Sequence, residues 1–212
     1  MAPLILFDID DTIINTQLLK RLQVKTMALA TDSPIAQIEK FRLEYLNNLE
    51  SGSDFSTDDY LQKLGKKFQV PFVELKEAFW HPRNFELCLF PEVRDVLATL
   101  RHEKYSLGLF SEGYQDFQEH KLRVNGLLEF FDSNQRHILR RKLNPTVIES
   151  LPKGTIIIDD KQSVIEYLEQ FPHIVALRIV RDPQQAKELL TSRYTLLDLR
   201  ELIPLLGNIN YS

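Results

Sequence analysis

Asp8, Asp10, Asp11 and Thr12 come directly after the apolar run Leu4-Ile5-Leu6-Phe7. Carboxylates crowded at the end of a buried strand repel one another, so folding gains nothing from that placement unless positive charge sits among them. In an extended segment, residues two apart face the same side, which would let Asp8 and Asp10 converge on one point. A polar turn after a strand is the plainer reading of this string alone, and the choice rests on the groups that later strands bring. A second acidic pair, Asp159-Asp160, succeeds Ile156-Ile157-Ile158 and poses the same problem. A divalent cation answers both. Hard oxygen donors with no nearby histidine point to Mg²⁺.

Two further strand ends carry groups of interest. Ser111-Glu112-Gly113 comes after Leu107-Gly108-Leu109-Phe110. A hydroxyl, free backbone N–H groups and a glycine at a strand-to-helix turn suit an oxyanion, although serine is also a common helix cap. Arg140-Arg141-Lys142 come after His137-Ile138-Leu139 and offer a cation for an anionic group, with three neighbours competing for the part.

These residues need a scaffold that brings strand ends together. From Pro91 onward, apolar runs alternate with helical patterns, and strands are expected at 105–110, 137–139, 155–158 and 174–180. Helices are expected between them at about 92–101, 114–124, 145–151 and 163–170, with two more at 183–190 and 198–206. That alternation predicts an α/β fold, a doubly wound parallel sheet in which the first strand joins the later ones. Ligands of such sheets bind at the carboxyl ends of the strands. Residues 16–84 break the pattern: four helical segments start near Thr16, Ser33-Pro34, Ser56 and Pro71, with no strand signal. Ser33 reads as the cap of the second, with Pro34 at its first turn. Expected boundaries are a core of 1–15 and 85–212 and an inserted helical domain of 16–84.

The chain has 212 residues, 43% hydrophobic and 26% charged, which suits a core domain with a smaller insertion. Its net charge of -4 gives no reason to expect binding to nucleic acid or membrane through bulk charge. No segment approaches a membrane span, and Asp8 interrupts the first apolar run too early for a signal peptide. A soluble, cytoplasmic protein is expected. Cys88, the one cysteine, lies in an apolar run and reads as a buried thiol. The five histidines show no metal-ligand spacing.

In order and spacing, these groups resemble the motifs of the haloacid dehalogenase (HAD) superfamily. Phe7-Asp8-Ile9-Asp10-Asp11-Thr12 resembles its DxDxT motif, Leu109-Phe110-Ser111 the second, Lys142 before Pro145 the third, and Ile156 to Asp160 the fourth. The inserted helices are similar in place and length to the C1-type cap. The resemblance implies a HAD-like core and a Mg²⁺-dependent phosphatase acting on a small phosphorylated metabolite. Asp8 would be the nucleophile that becomes an aspartyl-phosphate, and Asp10 the general acid and then base. Asp8, the Asp10 backbone carbonyl and Asp160 would hold Mg²⁺, Ser111 and Lys142 would bind phosphoryl oxygens, and Thr12 would hold the first loop beside them. The cap would close over the site and exclude water, with Asn15, Gln17, Arg42, His81 and Arg83 as candidate contacts. A phosphomutase, a 2-haloacid dehalogenase and a non-catalytic binding protein are the alternatives; an aspartate two residues after the nucleophile favours phosphoryl transfer over dehalogenation. Asp11 stands where many members have glycine and Asp159 where glycine is frequent, and neither has an assigned part.

Overall fold

Leu4 and Leu6 leave the first strand on one side, Ile5 and Phe7 on the other, and the two pairs enter different apolar clusters. A strand buried on both faces belongs in the middle of a parallel sheet. That is where the computed structural model, which describes residues 3–182 and 195–207, places β1 (Leu4–Phe7). The others are β2 (Ser106–Glu112), β3 (Arg136–Leu139), β4 (Thr155–Asp159), β5 (Ile174–Ile179) and β6 (Thr195–Leu196). They form a six-stranded sheet in the order β3-β2-β1-β4-β5-β6, and every pairing is parallel. The chain winds outward from β1 in both directions, which opens a crevice at the carboxyl ends of β1 and β4.

Helices cover both faces. Val93, Val96 and Leu97 of α6 (Val93–His102), Leu122 of α7 (Gln115–Val124) and Leu202 of α10 (Leu202–Leu206) pack with Ile5 and Phe7. Ile148 of α8 (Pro145–Glu149) and Val164 and Leu168 of α9 (Gln162–Leu168) pack with Leu4 and Leu6. The doubly wound α/β sheet expected from the sequence is therefore the observed core. The two-residue β6 has no legible pattern in the sequence, and the helix expected at 183–190 lies outside the described residues. The segment expected as a helix at 198–206 starts as a 3-10 turn, Leu199–Glu201, before α10.

Between β1 and α6 the chain forms α1 (Thr16–Ala30), α2 (Ile35–Asn47), α3 (Thr57–Phe68), α4 (Phe72–Phe79) and a short α5 (Arg83–Glu86) that has no counterpart in the sequence reading. α1 to α4 bury a cluster of their own, with Met27, Ile38, Tyr60, Leu61, Leu64, Leu75 and Phe79 at its centre. The expected Ser33 cap is not formed: α2 starts after Pro34, and the Ser33 hydroxyl donates back to the Thr31 carbonyl at 3.0 Å. Where the chain leaves and re-enters the core, the two strands of the connection bind each other, with Asn15 N–H donating to the Cys88 carbonyl at 2.7 Å and Phe90 N–H to that of Ile13 at 3.2 Å. Trp80 and Phe117, with ring centres 5.6 Å apart, pack on both the insertion's cluster and the sheet's. Among the described residues no helix is long and apolar enough to cross a membrane.

Gly108 lies opposite Leu6 across the β1–β2 pairing, and a Cβ there would fall against the Gln135 carbonyl and the Leu6 side chain. Backbone on one side and packed core on the other leave little room to yield. Gly108→Ala is expected to lower stability by about 1–3 kcal/mol, read as a lower urea midpoint; an unchanged midpoint would contradict this packing.

Candidate active site

The register of the central strands brings the acidic residues together. Phe7 pairs with Ile158, and Asp8 N–H donates to the Ile158 carbonyl at 2.9 Å, so Asp8 emerges beside Asp159 and Asp160. One carboxylate oxygen of each of these three lies within 4.8 Å of the others. Lys142, with 1% of its side chain exposed, reaches into the group: its Nζ is 3.2 Å from Asp8 Oδ1 and bonded to Asp159 Oδ2. Burial opposes the Lys142 charge, but Asp8 and Asp159 outweigh it and hold the ammonium above its ordinary range. Burial, then Asp8 and Asp159, push the Asp160 carboxyl up to about 7. Asp159 is also shifted upward, by burial and by Asp8, against the pull of Lys142.

Asp10 stands beyond the end of the strand. Its backbone leaves the strand for a tight turn in which Asp11, at φ 52°, adopts the left-handed conformation. Aspartate tolerates that region better than most residues. Asp11 N–H donates to the Ile14 carbonyl at 2.8 Å, and Asp11 Oδ1 accepts from Thr16 N–H at 2.9 Å, tying the turn to the start of α1. The Asp10 carboxylate accepts from three donors: Lys121 Nζ at 2.6 Å, Thr16 Oγ1 at 2.6 Å and Gln118 Nε2 at 2.8 Å. Burial favours the neutral acid, but the Lys121 charge and these bonds prevail and hold the carboxyl well below the usual range. Gln118 and Lys121 stand three apart on α7, hence on one face. Nothing in the sequence singled them out, because polar side chains on a short helix read as solvated.

The Ser111 and Thr12 hydroxyls are buried without a hydrogen-bond partner. Ser111 lies within β2, which runs past the expected end of the strand to Glu112. Arg181 supports the first loop, donating from Nη1 to Glu92 Oε1 and from Nη2 to the Thr12 carbonyl, both at 2.5 Å. Arg140 and Arg141 stay out of the site and pair with Asp54 of the insertion. Of the three neighbouring cations only Lys142 faces Asp8. Among the proposed contacts from the insertion, Asn15 caps α1 through Leu18 N–H, and His81 accepts from Arg83 N–H on the surface. Arg42 lines the cavity that opens from Asp10, Asp11 and Asp160.

The sequence profile of the haloacid dehalogenase-like hydrolases matches residues 5–166. The chain belongs to that family. A HAD phosphatase from Thermococcus onnurineus has a similar structure, at 22% identity and a TM-score of 0.64, with 98% of each chain covered. The HAD-family protein YfnB from Bacillus subtilis, solved with bound magnesium, is 20% identical with a TM-score of 0.65, covering 97% of this chain and 99% of its own. The defluorinating L-2-haloacid dehalogenase Rha0230 is 16% identical with a TM-score of 0.66, covering 97% and 95%. None of the curated proteins matches the chain. At these identities the likeness is one of fold, and the reaction has to be argued from the site.

The site of this HAD-family chain suits a hard divalent cation. Three carboxylates cluster where one ammonium pairs with two of them, and Asp160 Oδ1 is buried without a partner. Oxygen donors of this kind are what Mg²⁺ takes.

The Asp10–Lys121 pair makes stability depend on pH. Because the folded Asp10 lies below the ordinary carboxylate value, its contribution is fully present above about pH 4 and is lost as pH falls through the folded value. Lys121→Met removes the charge that opposes burial, so the cost of an ionised Asp10 grows as pH rises. The variant is expected to lose about 2–4 kcal/mol at pH 7.5 and clearly less at pH 4.5, from urea unfolding in EDTA. Equal losses at both values would contradict the pairing.

Proposed function

We propose that the protein is a Mg²⁺-dependent phosphatase that hydrolyses a small phosphorylated metabolite through an aspartyl-phosphate on Asp8. The observation that carries this reading is the division of the carboxylates into two sets. Asp8 stands with Asp159 and Asp160 beside Lys142, whereas Asp10 is bound by Lys121, Gln118 and Thr16. Displacement at carbon by a dehalogenase requires the nucleophile but no separately held proton carrier of this kind.

In the first half-reaction an Asp8 oxygen bonds to phosphorus as the ester P–O bond breaks, and the departing oxygen takes a proton from Asp10. In the second, water attacks phosphorus, gives its proton to Asp10 and frees the Asp8 carboxylate. Before substrate arrives Asp10 is held in its charged form, and a phosphate dianion approaching it raises its affinity for a proton. The Lys142 ammonium and the Ser111 hydroxyl would bind phosphoryl oxygens, with Thr12 beside them. Asp8 and Asp160 would hold Mg²⁺, which supplies the positive charge that lets a carboxylate and a phosphate approach each other. A small substrate is supported by the cavity of about 350 Å³ between this site and the insertion.

A panel of phosphorylated metabolites assayed with Mg²⁺ tests this reading. Phosphate release is expected, stopped by EDTA and lowered about 10³-fold or more by Asp8→Asn. Turnover that survives both would overturn the mechanism. Mg²⁺ should also raise the melting temperature of the wild-type protein, and Asp160→Asn should remove that shift. A shift of equal size in the variant would place the ion elsewhere.

A further inference from the structure

Asp8 and Asp10 are presented by a loop whose backbone is bent against its preference. Asp11 sits at φ 52°, and the loop closes on one acceptor, the Ile9 carbonyl, which takes Ile13 N–H at 3.0 Å and Ile14 N–H at 2.9 Å. A non-glycine residue persists in the left-handed region only where its surroundings hold it there. The peptide joining Thr12 to Ile13 is central to that hold. Its N–H donates to Ile9, and its carbonyl accepts from Arg181 Nη2 at 2.5 Å. Turning this peptide over would break both bonds and reopen the loop.

Arg181 stands two residues past β5 and is itself fixed, with 12% of its side chain exposed. Its Nη1 pairs with Glu92, just before α6, and Glu92 has 4% of its side chain exposed. The guanidinium carbon lies 3.9 Å from the centre of the Phe90 ring. Phe90 N–H donates to the Ile13 carbonyl at 3.2 Å, so two successive carbonyls of the loop are held by groups outside it. A planar fork can meet a carboxylate at one end and a carbonyl at the other while stacked on a ring; an ammonium cannot. Because Glu92 takes up the charge, Arg181 brings the loop a directed bond and no unbalanced cation.

We infer that Arg181 is a positioning residue of the reaction: by holding the Thr12–Ile13 peptide it keeps the loop in the shape that aims Asp8 and Asp10. It touches neither the substrate nor the reacting atoms. The inference rests on the phosphatase reading of the Asp8 site. In that reading Lys142 and Ser111, brought by other strands, bind the phosphoryl group, so loss of Arg181 falls on kcat. A displacement of about 1 Å can lower a rate about 100-fold.

Glucose 6-phosphate, glycerol 3-phosphate and p-nitrophenyl phosphate serve as probes with Mg²⁺, at a temperature where every variant is folded by its urea curve. Arg181→Met removes both bonds and is expected to lower kcat about 10- to 100-fold while KM changes by about threefold or less. Leu100→Ala is the control for lost stability alone. Leu100 is fully buried at the end of α6 that leads into the start of β2, away from the carboxyl ends of the strands. This variant should lower the urea midpoint and leave kcat within about twofold of wild type. Arg181→Lys, which can keep the pair with Glu92 without the second bond, should recover the urea midpoint while kcat stays about fivefold or more below wild type. If Arg181→Met does not fold, Arg181→Lys decides. Wild-type kcat in either Arg181 variant overturns the inference and leaves the phosphatase reading intact. An equal loss of kcat in Leu100→Ala, or a loss carried by KM alone, does the same. No phosphate release by the wild-type protein from these probes or the metabolite panel overturns both.

Discussion

Like charge held at the junction of two buried strands is the constraint around which this protein is arranged. Asp8, Asp159 and Asp160 are brought together because β1 and β4 are neighbours in register, and one ammonium, Lys142, cannot balance three carboxylates. The cost is offset by the strands behind them. Ile5, Leu6, Phe7, Ile156, Ile157 and Ile158 are all fully buried, and the two faces of the sheet each carry their own apolar cluster. Burial on that scale tolerates an electrostatic penalty a smaller core could not. The penalty is useful because a cation or a phosphoryl group interacts with charges whose solvation has already been lost.

The turn after β1 ties Asp10 to the insertion. With Asp11 in the left-handed region, the chain reverses within a few residues and starts α1 at Thr16, whose N–H binds Asp11 and whose hydroxyl binds Asp10. Asp11 therefore does by side chain what glycine alone would not: it accepts the strained backbone and anchors the next helix as well. The same few bonds fix where the proton carrier points and where the insertion begins, so a change in the turn would be felt by both.

Much of this was legible because parallel α/β sheets gather their strand ends on one edge. Asp8, Ser111 and Asp160 each stand just past an apolar run, and that position alone marks them. Which of Arg140, Arg141 and Lys142 turns inward was not legible, since three successive residues after a strand differ only in how the loop twists. Lys121 and Gln118 were invisible for another reason: their partner Asp10 lies 111 and 108 residues away, and a polar helix face carries no mark of the group it meets.

The insertion meets the core along two edges of different chemistry. On one, Trp80, Phe85, Phe117 and His120 interlock, with Trp80 4.5 Å from His120 and 6.1 Å from Phe85 between ring centres. Aromatic surface buried in this way is exposed to water if the edge opens, a cost that solvent does not return. On the other, Asp54 meets Arg140 and Arg141. Exposed ion pairs exchange readily with water and salt and contribute little to holding two bodies together. The paired backbone strands at Ile13–Asn15 and Cys88–Phe90 lie at the two covalent crossings, where separation is impossible in any case. Any widening of the cavity therefore costs least at the Asp54 edge, with the aromatic edge and the two crossings remaining in contact.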